Sequence, residues 1–163
     1  MDERIFFLIN RLPHDLPYIW GAMGLRYGAF LVLVIFILRH IGSRRRFVKG
    51  SGIILLPWLT ANLLKFVINR PRPAEALQVE YLQHVYWSPA FPSAETALAF
   101  SLATLFFFLE RRWSRRIVAF LLAAAIGVTR LYFGAHYPSD VLGGALLGVI
   151  GVAVWRINRH KII

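Results

Sequence analysis

No cysteine occurs among the 163 residues, which excludes disulfides, thiolate metal sites and a thiol nucleophile. Acidic residues are scarce: eight Asp and Glu stand against nineteen Lys and Arg, and charged residues make up only 17% of the chain. So few charges, beside 58% hydrophobic and 15% aromatic residues, exclude an ordinary soluble domain and point to an integral membrane protein. The net charge of +11 would suit a nucleic-acid partner if the basic residues lined one face or tail. They fall instead in short clusters between apolar runs, so the expected partner is the bilayer and no nucleic acid. A cleavable signal peptide is not expected, because the opening MDERIFFLINRL begins acidic and lacks a small-residue cleavage site.

Pro13 and Pro17 interrupt the amphipathic opening stretch, so residues 1–24 are expected to form an interfacial helix and an aromatic-rich connector lying on the membrane. Five apolar segments follow, near residues 25–41, 50–69, 94–109, 115–132 and 138–156, each close to the length of a bilayer crossing. The expected fold is all-α: one membrane-embedded domain over 1–163, with the interfacial segment at 1–24 and a bundle of about five transmembrane helices at 25–163. Pro57 is expected to kink the second crossing. Gly143, Gly144, Gly148 and Gly151 in the fifth crossing, and Ala123, Ala124, Ala125 and Gly127 in the fourth, let helix backbones approach closely.

The basic clusters set the orientation. RHIGSRRRFVKG, ERRWSRR and RINRHKII fall on one face and hold twelve of the nineteen Lys and Arg, so that face is expected to be cytoplasmic. The opposite face receives KFVINRPRP (65–73), FPSAE (91–95) and TRLYFGAHYPSD (129–140). Lys65 lies inside a helix end, deep enough that its amine must snorkel or find an anion. Pro71 and Pro73 stop the helix and hold Arg72 extended, presenting a guanidinium fork. Arg130 adds a third cation, and three cations at this depth call for a strongly charged ligand such as a phosphate. Pro92 and Ser93 precede the first turn of the third crossing, whose unpaired amides form an anion site. In HYPSD, Pro138 suits a first helical position and Asp140 can reach back to His136. Such a carboxylate fixes the imidazole tautomer, which makes His136 the expected nucleophile.

The spacing Lys65-x6-Arg72-Pro73, then Pro92-Ser93, then Arg130-x5-His136-x3-Asp140 resembles the three signature motifs of the type-2 phosphatidic acid phosphatase (PAP2) family, from about residue 50 to the C-terminus. The resemblance implies a helical bundle in the bacterial cytoplasmic membrane, with its site facing the periplasm or exterior. It also implies a metal-independent, cofactor-free phosphatase acting on lipid phosphates or diphosphates through a phosphohistidine. Position by position, Lys65, Arg72 and Arg130 would bind the phosphoryl oxygens, Ser93 and the Ala94 backbone would complete the cradle, His136 would attack and Asp140 would orient it. Three features depart from the family pattern. The usual PSGH reads PSAE, Thr129 stands where serine is usual, and many members have six crossings.

Glu95 therefore occupies the place of the histidine that usually protonates the leaving oxygen. A protonated carboxylic acid could do the same. Alternatively, Glu95 is an acid favoured by the helix dipole, with His84 or water as proton donor. Without a strong acid, substrates with good leaving groups are favoured: a polyprenyl diphosphate or a lipid A 1-phosphate, with phosphatidylglycerophosphate as a further possibility. The alternative function is a catalytically impaired member that binds anionic headgroups. A metal held by Glu95, His136 and Asp140 is disfavoured by the three flanking cations. The aromatic-rich loop 74–91 is read either as a lid or headgroup reader, or as interfacial belt residues.

Overall fold

A computed structural model describes residues 2–40, 44–79 and 88–159, with side chains at 44–49 and 157–159 left aside. The helices in chain order are α1 (Asp2–Asn10), α2 (Leu16–Leu38), α3 (Arg44–Ile68), the single turn α4 (Pro73–Ala76), α5 (Ala94–Leu109), α6 (Trp113–Tyr132) and α7 (Pro138–Arg159). The described residues contain no strand. The all-α reading holds. Among the described residues, three stretches are long and apolar enough to cross a membrane, Leu16–Leu38, Gly50–Ala76 and Pro138–Arg156.

One expected boundary moves. The division between an interfacial segment and the bundle at residues 24 and 25 falls inside α2, which starts nine residues earlier, at Leu16. Pro17 sits in the first turn of that helix, where a missing amide costs nothing because no intrahelical partner exists there. It opens the helix instead of breaking the chain. Only α1 remains as a separate amphipathic piece. It packs on α6 and α7 through Phe6, which is fully buried, and through Asn10 Nδ2, which donates to the Tyr132 carbonyl at 3.0 Å. Leu8 on α1 and Leu12 just beyond it stay exposed.

α5 is the axis of the bundle, packed against α2, α3, α6 and α7. Its 16 residues span about 24 Å at about 1.5 Å per residue, short of the roughly 30 Å hydrocarbon core. Its neighbours carry the lipid-facing surface in its place. Leu55, Leu59 and Leu63 on α3, Ile117 and Leu121 on α6, and Leu142, Leu146 and Ile150 on α7 all point outward. Small side chains fill much of the helix contacts, Ala61, Ala97, Ala103, Ala119 and Ala123 all being fully buried, beside larger core residues such as Leu33, Phe106 and Ile126. Small residues at the contacts let helix backbones approach where lipid offers no hydrophobic drive between them.

The glycines of α7 set the closest approach. A Cβ at Gly144 would lie 2.3 Å from the Ser93 carbonyl oxygen, and one at Gly148 would lie 2.5 Å from that of Ala97. Gly151 meets Pro57 in the same way, at 2.6 Å, and α3 is assigned as one helix through that proline. The close contacts fix α5 against α7 at the end where Ser93 and Asp140 lie, and the Ser93 amide donates to the Asp140 carbonyl at 2.9 Å. Gly148→Ala is expected to push the two backbones apart and cost about 1–3 kcal/mol, seen as a lower melting temperature in detergent. Gly24→Ala, where an added Cβ meets nothing within 4 Å, should leave it nearly unchanged.

Candidate active site

Three segments converge at one end of the bundle. α3 presents Lys65 in its last turn. Arg72 is extended, with φ −76° and ψ 155°, and caps the single turn α4, as expected of a residue held between Pro71 and Pro73. Ser93 caps α5 by accepting from the Thr96 amide and, at 2.9 Å, from the Thr96 hydroxyl. Arg130 closes α6, and His136 stands in the turn leading to α7, whose first turn carries Asp140.

The side chains meet in a cavity of about 190 Å³ lined by Lys65, Arg72, Ala94, Glu95, Arg130 and His136, together with Trp58, Asn62 and Ser88. Lys65, Arg72, Arg130 and His136 are each no more than 3% exposed. Lys65 Nζ donates to the Pro89 carbonyl at 2.7 Å. The Arg72 fork binds backbone on both flanks: Nε donates to the Ser88 carbonyl at 2.7 Å and one terminal nitrogen to the Ala135 carbonyl at 2.9 Å. Ser93 caps α5 and is not among the residues lining the cavity, while Ala94 lines it.

Asp140 is fully buried. Its Oδ2 accepts from the Tyr137 amide at 2.8 Å and its Oδ1 from Arg70 at 2.7 Å. His136 Nδ1 is 3.6 Å from Oδ2, beyond hydrogen-bond reach, and makes no other hydrogen bond. The expected reach of Asp140 back to His136 is thus a close approach and not yet a bond. Burial pushes the His136 imidazole well below the usual 6.5, and the charges of Arg130, Arg72 and Lys65 act in the same direction. A hydrogen bond to the Ala90 backbone opposes them. The ring is therefore neutral at pH 7, the form with a lone pair to give.

Glu95 faces two arginines. Its Oε2 lies 3.1 Å from Arg26 Nε and 3.5 Å from Arg130, and Arg26 also donates to Oε1 at 3.4 Å. Arg26, on α2 and 6% exposed, has no role in the sequence analysis, where it falls at the start of the first expected crossing. The signal was there: a guanidinium within an apolar helix demands an acid. Arg70 and Asp2 were also given no role, since nothing local in the sequence links residue 2 to residues 70 and 140. His84 and residues 80–87 of the aromatic loop lie outside the described residues.

Around this cavity the described residues gather five cations, Arg26, Lys65, Arg70, Arg72 and Arg130, against three carboxylates, Asp2, Glu95 and Asp140. The surplus positive charge suits a phosphoryl group, which accepts several forked donors together.

Comparison with known proteins agrees. Residues 47–162 match the family model of the PAP2 superfamily. Undecaprenyl-diphosphatase BcrC of Bacillus subtilis is 32% identical over 159 residues, covering 92% of this chain and 80% of that protein. Lipid A 1-phosphatase of Rhizobium etli is 34% identical over 98 residues, covering 58% of this chain and 42% of that protein. The crystal structure of Aquifex aeolicus LpxE superposes with a TM-score of 0.76 at 31% identity, over 94% of this chain and 93% of that one. With its motifs assembled in one cavity of a helical bundle, the chain belongs to the PAP2 superfamily and is a membrane-embedded, metal-independent lipid phosphatase.

Proposed function

We propose that this phosphatase acts on a lipid diphosphate, a polyprenyl diphosphate in particular, through a phosphohistidine at His136. The observation that carries the reading is the meeting of Lys65, Arg72, Arg130 and His136 in one cavity beside Asp140. The three cations hold the oxygens of the terminal phosphoryl group, and the first-turn amides of α5 at Ala94 add neutral donors. The His136 ring closes the gap to Asp140, so that Nδ1–H donates to Oδ2 and the opposite nitrogen turns from Ala90 to phosphorus; catalytic contacts commonly tighten in this way on binding. The nitrogen–phosphorus bond forms as the bridging phosphorus–oxygen bond breaks, and the lipid leaves as its monophosphate. Water then attacks the phosphohistidine, giving inorganic phosphate and free His136.

The ion pairs of Glu95 favour this substrate class. A carboxylate engaged by Arg26 and Arg130 positions the arginine that binds phosphate and is poorly placed to hand over a proton. A departing phosphate monoester needs little protonation, whereas a simple alkoxide needs much. Similarity to lipid A 1-phosphatase supports a second reading, release of an anomeric phosphate, whose leaving group is also stabilised. The basic cluster at the far end of the bundle, including Arg111, Arg112, Arg115 and Arg116, supports the reading, by the positive-inside rule, that the cavity opens on the outer side of the bacterial cytoplasmic membrane.

Phosphate release from farnesyl diphosphate, lipid A 1-phosphate, phosphatidylglycerophosphate and phosphatidic acid distinguishes these readings. Release should be fastest from the diphosphate and should fall to background in His136→Asn. Equal turnover of phosphatidic acid would contradict the assigned substrate class, and lipid binding with no release from any substrate would favour a headgroup binder. Glu95→Gln should slow all four substrates by similar factors; a loss confined to phosphatidic acid would restore Glu95 as proton donor.

The direction of the His136 shift gives a further test. A lowered value means that the ring stays neutral as pH falls through 6.5 and gains its proton only well below it. In a nitrogen-15 NMR titration of the free protein, with the His136 signal assigned by its loss in His136→Asn, the ring should still be mainly neutral at pH 6.5. Half-protonation at 6.5 or higher would contradict the buried, cation-flanked site.

A further inference from the structure

α1 lies outside the three motifs, yet its first residue is wired to them. Asp2 Oδ1 accepts from the Ser139 amide at 2.9 Å, and Oδ2 accepts from the Ser139 hydroxyl at 2.5 Å and from Arg70 at 2.8 Å. Arg70 uses its other terminal nitrogen on Asp140 Oδ1 at 2.7 Å and on the Ser139 hydroxyl at 2.6 Å. The guanidinium thus forks between two carboxylates, and its carbon sits 4.1 Å from the centre of the Tyr137 ring, which fixes its plane. Asp140 in turn faces His136.

Two consequences follow from this geometry. An Arg70 paired with Asp140 alone would bring a full positive charge against the carboxylate that must hold the imidazole, weakening its pull on Nδ1–H. Asp2 shares that charge, so Asp140 keeps a net negative field toward His136. Asp2 also ties the Ser139 backbone, one residue before Asp140, in place. Outer partners that orient the ligands of metal sites typically contribute about 10- to 100-fold in activity, and a loss of that order is expected for a carboxylate that orients Asp140 in the same way. Burial raises the Asp2 carboxyl, but the hydrogen bonds from Ser139 and Arg70 outweigh it and leave it below its usual value. The docking of α1 through Phe6 and Asn10 supplies the leverage that holds Asp2 there.

We propose that α1 is part of the catalytic apparatus, with Asp2 a positioning residue that acts through Arg70 and Ser139 to set Asp140 against His136. The inference rests on the reading of His136 as the nucleophile. The test is rapid-quench measurement of phosphohistidine formation with purified full-length protein and farnesyl diphosphate, comparing wild type with Asp2→Asn, Asp2→Ala and Asp2→Glu. Asp2→Asn and Asp2→Ala should slow phosphorylation by about 10- to 100-fold while KM stays within about threefold of wild type. Asp2→Glu should recover most of the rate, because it restores the charge. Wild-type phosphorylation rates in Asp2→Asn and Asp2→Ala would overturn the proposal. So would a loss that only tracks a lower melting temperature and is not recovered by Asp2→Glu, since α1 would then be a brace alone. If wild type itself forms no phosphohistidine, the nucleophile assignment fails and the inference falls with it.

Discussion

Arg26, Lys65, Arg70, Arg72 and Arg130 are drawn to one end of a bundle whose outer surface is apolar. Two like charges about 4 Å apart repel by about 4 kcal/mol at an effective dielectric of about 20, a large part of the roughly 5–15 kcal/mol that holds a domain folded. A cluster of this kind survives only if anions are threaded through it. Glu95 takes Arg26 and Arg130, and Asp2 and Asp140 share Arg70. Backbone carbonyls of Pro89, Ser88 and Ala135 absorb donors of Lys65 and Arg72. These contacts hold the cations in place by themselves, so a phosphoryl group bound as proposed would demand little reorganisation.

The same constraint explains the packing. Cations on α2, α3 and α6 can meet carboxylates on α5 and α7 only if the helices approach closely, and closeness comes from residues without bulk. Gly144 and Gly148 on α7 bring the α5 backbone near enough for the Ser93 amide to reach the Asp140 carbonyl. The helix carrying the Ser93 cap and the helix carrying Asp140 are therefore locked at the site, and their apolar surroundings shield the charges from water. Low local polarity strengthens each ion pair and would make any unpaired charge costly.

Much of this was legible in the sequence. Apolar runs and their polar ends placed α5, α6 and α7 within three residues of their observed limits and the end of α3 within one, while α3 starts six residues earlier than expected; length and hydropathy are local properties. Lys65, Arg72, Arg130 and His136 could be gathered because each sits at a helix end assigned to the same face. The start of α2 was not legible, since Pro17 reads equally as a breaker and as a first-turn residue until the helix that follows is seen. Arg26 and Asp2 were missed for a different reason. Their partners lie 69 residues away at Glu95 and 137 residues away at Ser139, and no periodicity encodes a contact between distant helices. Glu95 lies beside Arg26 and Arg130 as an ion-pair partner, a contact that the tetrapeptide PSAE alone does not contain.

Orthovanadate, a phosphoryl-transfer mimic, puts the central claim to its most direct test. In a crystal structure of the protein with vanadate bound, the account predicts vanadium bonded to the His136 nitrogen remote from Asp140. Lys65, Arg72 and Arg130 should donate to its oxygens, and the His136 to Asp140 distance should shorten to hydrogen-bond range. Vanadate bound elsewhere, or held in the cavity with His136 turned away from it, would contradict the account.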